Sequence, residues 1–376
     1  MADKEIPSEY KLQKVLAKMR DQGFQGLLLY SNGLRNLQIP SYLQYFVEYK
    51  PLGVNNALII SKSGKAVLVV EPQWDKYRVL NTTWVKDVRG SANFSKDLIE
   101  IISELQIIEP LGLIGSREMT SDLYMHIKKE VDIELADDLI EEIAKEKTKT
   151  EIQIIRQSAL IGDTGFKALL NSAYVGIREY ELAAEVDFAM RLAGSDDNFI
   201  LISSGKRNTA LHEPTSKKLS RGDVVIAEIS PIYRGQMIQL CRTIALGQPS
   251  TLLINKYELL VIALKQALRS MKPGIPSSII SRKINKIIGD AGYSEYCRPP
   301  YMRARGHGLG MGSFAPGTSI DDNTKSKLES QQVIIVHPNQ YLPEVGYLAC
   351  GETVVVTNSG VETLSGTETK LYVKDQ

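Results

Sequence analysis

Four histidines and three cysteines are all that this 376-residue chain offers for imidazole and thiol chemistry. An imidazole changes protonation near neutral pH and is the usual general acid or base, while a thiolate is a nucleophile or a metal ligand. His126 lies in the helix-patterned stretch DLYMHIKK and reads as structural. His212 lies in SGKRNTALHEPT, and His337 ends the apolar run VIIVHPNQY. His307 stands between glycines in RARGHGLGMG, where bare backbone permits unusual dihedrals and close approach. Cys241, Cys297 and Cys350 are odd in number and form no C-x-x-C pair, so neither a disulfide framework nor a zinc ribbon is indicated. That usage suits a reducing cytoplasm, the expected location.

These residues need elements to position them. Leu12, Val15, Leu16 and Met19 recur at helical spacing, and Gly26–Tyr30 reads as a buried strand. Asn56–Ser61 and Ala66–Val70 read as strands joined by a turn at Gly64. With a helix over Leu98–Leu105, a strand at Leu113–Gly115 and a helix from Ser121, the first part alternates in the α/β manner. The charged stretch Glu141–Thr150 then runs into a long helix with Ile152, Ile155, Ala159 and Phe166 on one face, and either a domain boundary or a solvated turn fits it. Further on, helices at 177–193, 255–271 and 276–291 are separated by strands at Phe199–Ser203, Val224–Ser230, Gln236–Ala245, Gln332–His337 and Thr353–Thr357. That arrangement predicts an α+β fold with an antiparallel sheet.

Composition narrows the partners little. Lys plus Arg is 45 and Asp plus Glu is 44, so the net charge of +1 offers no global field toward nucleic acid or membrane. No window is apolar enough for a membrane span, and MADKEIPSEYKLQK has no apolar core for a secretory signal.

Several segments together resemble the pita-bread superfamily of creatinase, prolidase, aminopeptidase P and methionine aminopeptidase. Gly222–Gly247 (GDVVIAEISPIYRGQMIQLCRTIALG) is similar to that family's GD-V-L-I-D-F-G, Y-x-G and S-D-I-T-R-T stretch, and Gly306–Gly310 to its GHGIG. Val336–Tyr341 stands where IEPGIY is typical, Thr353–Gly360 where the E-D-T-V-L-V-T-x-D-G strand ends, and Lys145–Ala159 where the family's K-x-x-x-E-I-x-x-I-R-x-A helix opens its catalytic domain. The resemblance implies an α/β creatinase/prolidase-type N-terminal domain over 1–142 and a pita-bread domain over 143–376. It also implies a homodimer in which the N-terminal domain of one chain closes the other's site.

Metallopeptidases of this fold hold two ions with two Asp, one His and two Glu. By resemblance those positions are Glu228, Gln239, His307, His337 and Gly351 here, so the bridging carboxylates are replaced by an amide and by no side chain at all. The family's second His is Phe314. No metal and no cofactor is therefore expected. Creatinase works without metal, and its proton-shuttling His resembles His212. Its two substrate glutamates, however, fall at Cys241 and Cys350, and its carboxylate-clamping arginines near Val54 and Gly317.

The expected activity is a creatinase-like, metal-independent hydrolysis of a C–N bond in a small polar metabolite. His212 would be the general acid/base, with His307 and Cys241 also catalytic. Glu228, Gln239, His337, Cys350, Glu352 and Phe314 would bind substrate, and Arg303 and Arg305 form either an anion clamp or a surface turn. The two cysteines read as buried hydrophobes, as a nucleophile, or, for Cys241 with Glu228, His307 and His337, as part of one zinc site. Two other functions stay open: a non-catalytic peptide- or protein-binding module, and an Xaa-Pro-peptidase-like hydrolase with one rebuilt metal site.

Overall fold

The computed structural model describes residues 7–33, 41–302, 304–312 and 318–375. The chain divides into two units, Met1–Ala144 and Lys145–Gln376. Among the described residues no helix is long and apolar enough to cross a membrane.

The first unit is built on strands β1 (Gly26–Ser31), β2 (Asn56–Ser61), β3 (Ala66–Val70), β4 (Asp87–Gly90), β5 (Leu111–Ile114) and β6 (Ile133–Leu135). They form one mixed sheet in the order β4-β3-β2-β1-β5-β6. Helices α1 (Pro7–Asp21), α2 (Tyr42–Val47), α3 (Lys76–Val79), α4 (Phe94–Glu104), α5 (Ser121–Glu130) and α6 (Asp137–Lys145) accompany it. Leu28, Tyr30, Ile59 and Val69 pack with Leu98, Ile102 and Ile127 of α4 and α5. Part of the charged 141–150 stretch, read as a boundary or a turn, is helical: Leu139, Ile140, Ile143 and Ala144 line the buried side of α6.

The second unit carries α7 (Lys149–Ser172), α8 (Glu179–Leu192), α9 (Thr251–Ser270) and α10 (Ser277–Ile288) around strands that are antiparallel except for one parallel pair. Its first sheet pairs β7 (Asp197–Gly205), β8 (Val224–Tyr233), β9 (Gln236–Met237), β10 (Leu240–Leu246) and β17 (Tyr372–Lys374). A second sheet runs β11 (Gly306–Gly308), β12 (Val333–Val336), β15 (Glu352–Val356) and β16 (Val361–Thr363). The hairpin of β13 (Gln340–Leu342) and β14 (Gly346–Leu348) stands beside them.

Local chemistry explains these elements. Thr148 and Glu151 form a reciprocal capping box that starts α7, satisfying two donors the first turn leaves open. Ile280, Ile284 and Ile288 recur every four residues on α10 and are fully buried, each contributing about 1.5 to 3 kcal/mol before entropy is charged. The β8–β9 turn places Arg234 and Gly235 at φ 47 and 76, the double left-handed geometry that matches strand twist in a two-residue hairpin.

Strand alternation then decides which side chains face the site. Val225, Ala227 and Ile229 of β8 pack toward α7 and α8, with Ile244 and Leu246 of β10. Val224 and Ile226 take the other face, with Cys241 and Ala245. Glu228 continues that second face. The strand expected over Gln236–Ala245 breaks at Ile238–Gln239. There the Thr353 hydroxyl replaces the missing ladder partners, accepting from Gln239 N at 3.1 Å and donating to Gln239 O at 2.7 Å.

Candidate functional site

Cys241 is the centre from which the site is built. In the β8–β10 ladder it lies opposite Glu228, which lies opposite Leu201 of β7. On its other side Cys241 bridges to Gly351. Its sulfur accepts long amide hydrogen bonds from Gln239 Nε2 at 3.6 Å and Asn339 Nδ2 at 3.7 Å. Asn339 Oδ1 in turn accepts from Cys350 N at 2.7 Å, which holds the amide in one orientation.

Gly351 then connects to the histidines. A Cβ at position 351 would lie 2.8 Å from the Cβ of His337 and 3.1 Å from the carbonyl oxygen of Val336. His337 thus fills the face of Gly351, and its ring meets His307 edge-on with centroids 5.6 Å apart. Contacts or strand pairing therefore run unbroken through Glu228, Cys241, Gln239, Gly351, His337 and His307.

At the centre of this cluster Cys241 and His337 are uncharged. Burial pushes the Cys241 thiol well above its ordinary range, so it is no thiolate. Burial, then His307 and Arg305, lower His337 to about 3, which leaves the imidazole uncharged. Its Nδ1 is buried without a hydrogen-bond partner among the described residues. Burial raises the Glu228 carboxyl to about 7. Tyr347 of β14 is a neutral phenol close enough to Cys241, Glu228 and Asn339 to be influenced by each. Neither Tyr347 nor Asn339 was among the candidate residues, although Asn339 lies only two positions after His337.

Other candidates take different places. Cys350 is buried beside Tyr257 and Arg242, its thiol pushed up to about 12 by burial, and it shares a buried cluster with Cys241. The Glu352 carboxylate is engaged by Arg242 Nη2 at 2.6 Å and by the Thr369 hydroxyl. That pairing gives Glu352 a structural role in place of the substrate contact expected. Arg242 also donates to Gly351 O at 2.7 Å and Cys241 O at 3.1 Å, fixing the backbone under both.

Arg305 is 0% exposed, which excludes both a surface turn and a clamp reaching out to an anion. Its guanidinium donates to Asn285 Oδ1 at 2.7 Å, Asn339 O at 3.0 Å and Gln340 Oε1 at 2.8 Å. Arg303 and Phe314 lie outside the described residues.

His212 is exposed on the loop after β7. Its Nδ1 lies 2.7 Å from the carbonyl oxygen of Glu213, a contact that assigns the proton to Nδ1 and leaves Nε2 able to accept one. The loop is held firmly. The Glu179 carboxylate at the start of α8 accepts from Ser204 N and Oγ, both at 2.7 Å, from Thr215 N at 3.0 Å and from Thr215 Oγ1 at 2.6 Å. Burial works against its ionisation, but these donors more than offset that and leave its pKa lowered. Nearby, Asn208 O accepts from Tyr347 N at 2.6 Å, tying the loop to the hairpin that lines the cluster.

The donor set does not fit a pair of divalent ions. Of the five positions that the family resemblance assigns to ligands, one is a carboxylate, two are imidazoles, one is an amide and one has no side chain. Among the described residues no three His, Cys, Asp or Glu side chains converge closely enough to hold one ion.

Comparison with known proteins places this geometry in a lineage. Residues 153–358 match the family model described as Metallopeptidase family M24. An Xaa-Pro dipeptidase of Pyrococcus horikoshii is 30% identical over 283 residues, covering 73% of this chain and 78% of the relative. The solved prolidase from Pyrococcus horikoshii OT3 superposes with a TM-score of 0.84 at 25% identity, covering 96% of this chain and 99% of that one. An Xaa-Pro dipeptidase from Bacillus anthracis shares the fold at 23% identity, with a TM-score of 0.85 over 98% of this chain and 100% of that one. The two-domain pita-bread architecture implied by the sequence segments is the architecture present.

Proposed function

Because the chain belongs to metallopeptidase family M24, whose relatives here are Xaa-Pro dipeptidases, we propose that it is a peptidase-like hydrolase that cleaves a C–N bond without the paired metal ions. The substrate is a small polar molecule carrying an amide. One observation supports the reading: of the positions where the family resemblance puts ligands only Glu228 offers a carboxylate, and the amides of Gln239 and Asn339 meet at Cys241 opposite it.

The chemistry requires a water to add its hydroxide to the carbonyl carbon, a proton to reach the leaving nitrogen, and the C–N bond to break. His212 is the proton carrier, since its Nε2 is left open by the Nδ1 contact to Glu213. The amides of Gln239 and Asn339 and the Tyr347 phenol supply donors for a carbonyl oxygen as charge develops on it. Glu228, raised to about 7, exchanges a proton near neutral pH and binds the polar group of the substrate. The chain acts as a homodimer in this reading, which light scattering checks.

The test is release of free amine from a panel of dipeptides and small amides, with and without chelator. Turnover unaffected by chelator supports the proposal. About one equivalent of zinc or iron per chain in the active protein overturns the metal-free part, and full turnover by His212→Ala removes His212 from the mechanism. A second reading, a ligand-binding module, is favoured by one feature: the neutral Cys241 thiol capped by two amides is a floor that holds a ligand without attacking it. Ligands that raise the melting temperature with no turnover on any substrate select that reading.

A further inference from the structure

The mixed sheet of the first unit ends in an open edge. β6 is its last strand, and among the described residues nothing pairs with its outer side. In the parallel register with β5, Ile133 lies opposite Leu111 and Leu135 opposite Leu113. Asp132 O accepts from Leu111 N at 3.1 Å, and Ala136 N donates to Leu113 O at 2.9 Å, so the even-numbered positions spend their backbone groups on β5. Ile133 and Leu135 therefore turn their N–H and C=O outward, the template that a further strand requires.

The two faces of this edge differ in chemistry. Ile133 packs into the core with α4 and α5, and alternation puts Leu135 on the same face. Leu135 is nonetheless 66% exposed, and it lines a cavity of about 360 Å³ with Met119, Tyr124 and Met125. Thioether side chains adapt to apolar groups of varied shape. Lys128 stands over the Tyr124 ring at 5.7 Å, so a second cation on this face is disfavoured. Asp132 and Glu134 take the opposite face, and both are exposed. An antiparallel strand bonded to Ile133 and Leu135 alternates in step with them. Its residues opposite Ile133 and Leu135 meet the apolar cavity, and those between meet the two carboxylates.

We propose that the outer edge of β6 is a docking site for an extended polypeptide segment in which apolar residues alternate with Lys or Arg. Main-chain bonds to Ile133 and Leu135 hold the segment, the methionine-lined cavity takes its apolar side chains, and Asp132 and Glu134 select the cations. A second copy of this chain is a poor occupant, because antiparallel pairing of β6 with itself sets Glu134 against its own counterpart.

The experiment titrates the full chain with an acetylated, amidated Lys-Val-Lys-Val-Lys-Val peptide and follows fluorescence anisotropy and amide hydrogen exchange. The controls are Glu-Val-Glu-Val-Glu-Val and the block peptide Lys-Lys-Lys-Val-Val-Val. The alternating basic peptide is expected to bind about tenfold more tightly than either, the scale of exposed ion pairs gained and repulsions avoided. It slows exchange at Ile133 and Leu135, and its affinity falls as salt rises. Glu134→Lys, at an exposed position, brings the ratio between the basic and acidic peptides close to one, with the melting temperature unchanged. Absence of binding, equal binding of the basic and acidic peptides, exchange unaltered at Ile133 and Leu135, or a ratio unmoved by Glu134→Lys overturns the site. Protection of the same amides without peptide, growing with protein concentration, assigns the edge to a second copy and overturns it as well.

Discussion

Gly351→Ala isolates the steric coupling at the heart of the site. The added Cβ would stand 2.8 Å from His337 Cβ, closer than real Cβ atoms come, and 3.1 Å from Val336 O, tighter than most such contacts. The neighbours have little freedom, because Gly351 O is held by Arg242 and the Gly351 backbone is bridged to Cys241 in both directions. Overpacking of this kind costs about 1 to 3 kcal/mol. For a unit of this size that lowers the melting temperature by roughly 2 to 12 °C. Denaturant unfolding of the full chain measures it, and a second substitution identifies the cause. His337→Ala keeps the offending Cβ and leaves the cost in place, whereas His337→Gly removes it and recovers at least half. A Gly351→Ala variant within about 0.5 kcal/mol of wild type, or equal rescue by His337→Ala and His337→Gly, would refute the reasoning. The same geometry implies that Gly351→Glu alone does not restore a bridging carboxylate, since its own Cβ meets the same obstacle.

Further measurements address the electrostatics and the loop. Glu228 binds its proton more tightly folded than unfolded, so its contribution to stability falls as pH rises from about 4.5 through about 7, and Glu228→Gln removes about 1 to 3 kcal/mol of that fall in unfolding curves at pH 5 and pH 8. His337 has the opposite sign: the unfolded state takes up its proton first, so stability is lost as pH drops from about 6.5 toward 3, and His337→Asn flattens that limb. Native alkylation followed by mass measurement labels Cys297 only, because Cys241 and Cys350 are fully buried, and denaturant exposes all three. Glu179→Ala strips the acceptor from Ser204 and Thr215, lowering stability by about 2 to 3 kcal/mol and reducing turnover through the His212 loop; unchanged activity with the loop destabilised removes that loop from the mechanism.

The fold was legible where period and motif agreed. Asn56–Ser61 and Ala66–Val70 read as strands from their apolar runs, and the Gly222–Gly247 and Gly306–Gly310 segments identified the architecture that the structural neighbours share. Alternation along β8 and β10 likewise accounts for Glu228 and Cys241 standing opposite one another. What stayed hidden depends on tertiary partners. Arg305 looked like a surface residue because nothing in RARGHG announces that Asn285, Asn339 and Gln340 converge on it. Glu352 looked available because its partner Arg242 is distant in sequence. Asn339 passed unnoticed because an amide gains a role only from what surrounds it. The break at Gln239 required Thr353, on another strand, to supply the missing hydrogen bonds.

The uncharged character of the Cys241 floor reaches beyond the site to how a ligand arrives. With the thiol, imidazole and phenol all neutral, the Glu228 carboxyl protonated below about pH 7, and the guanidinium groups of Arg242 and Arg305 occupied by protein acceptors, a slightly acidic solution leaves little local field for dissolved salt to screen. Capture then proceeds at the unassisted docking rate, on the order of 10⁵–10⁶ M⁻¹s⁻¹, and varies little with ionic strength. Selectivity falls to how long a molecule stays once seated, so differences among ligands should emerge in their departure rates.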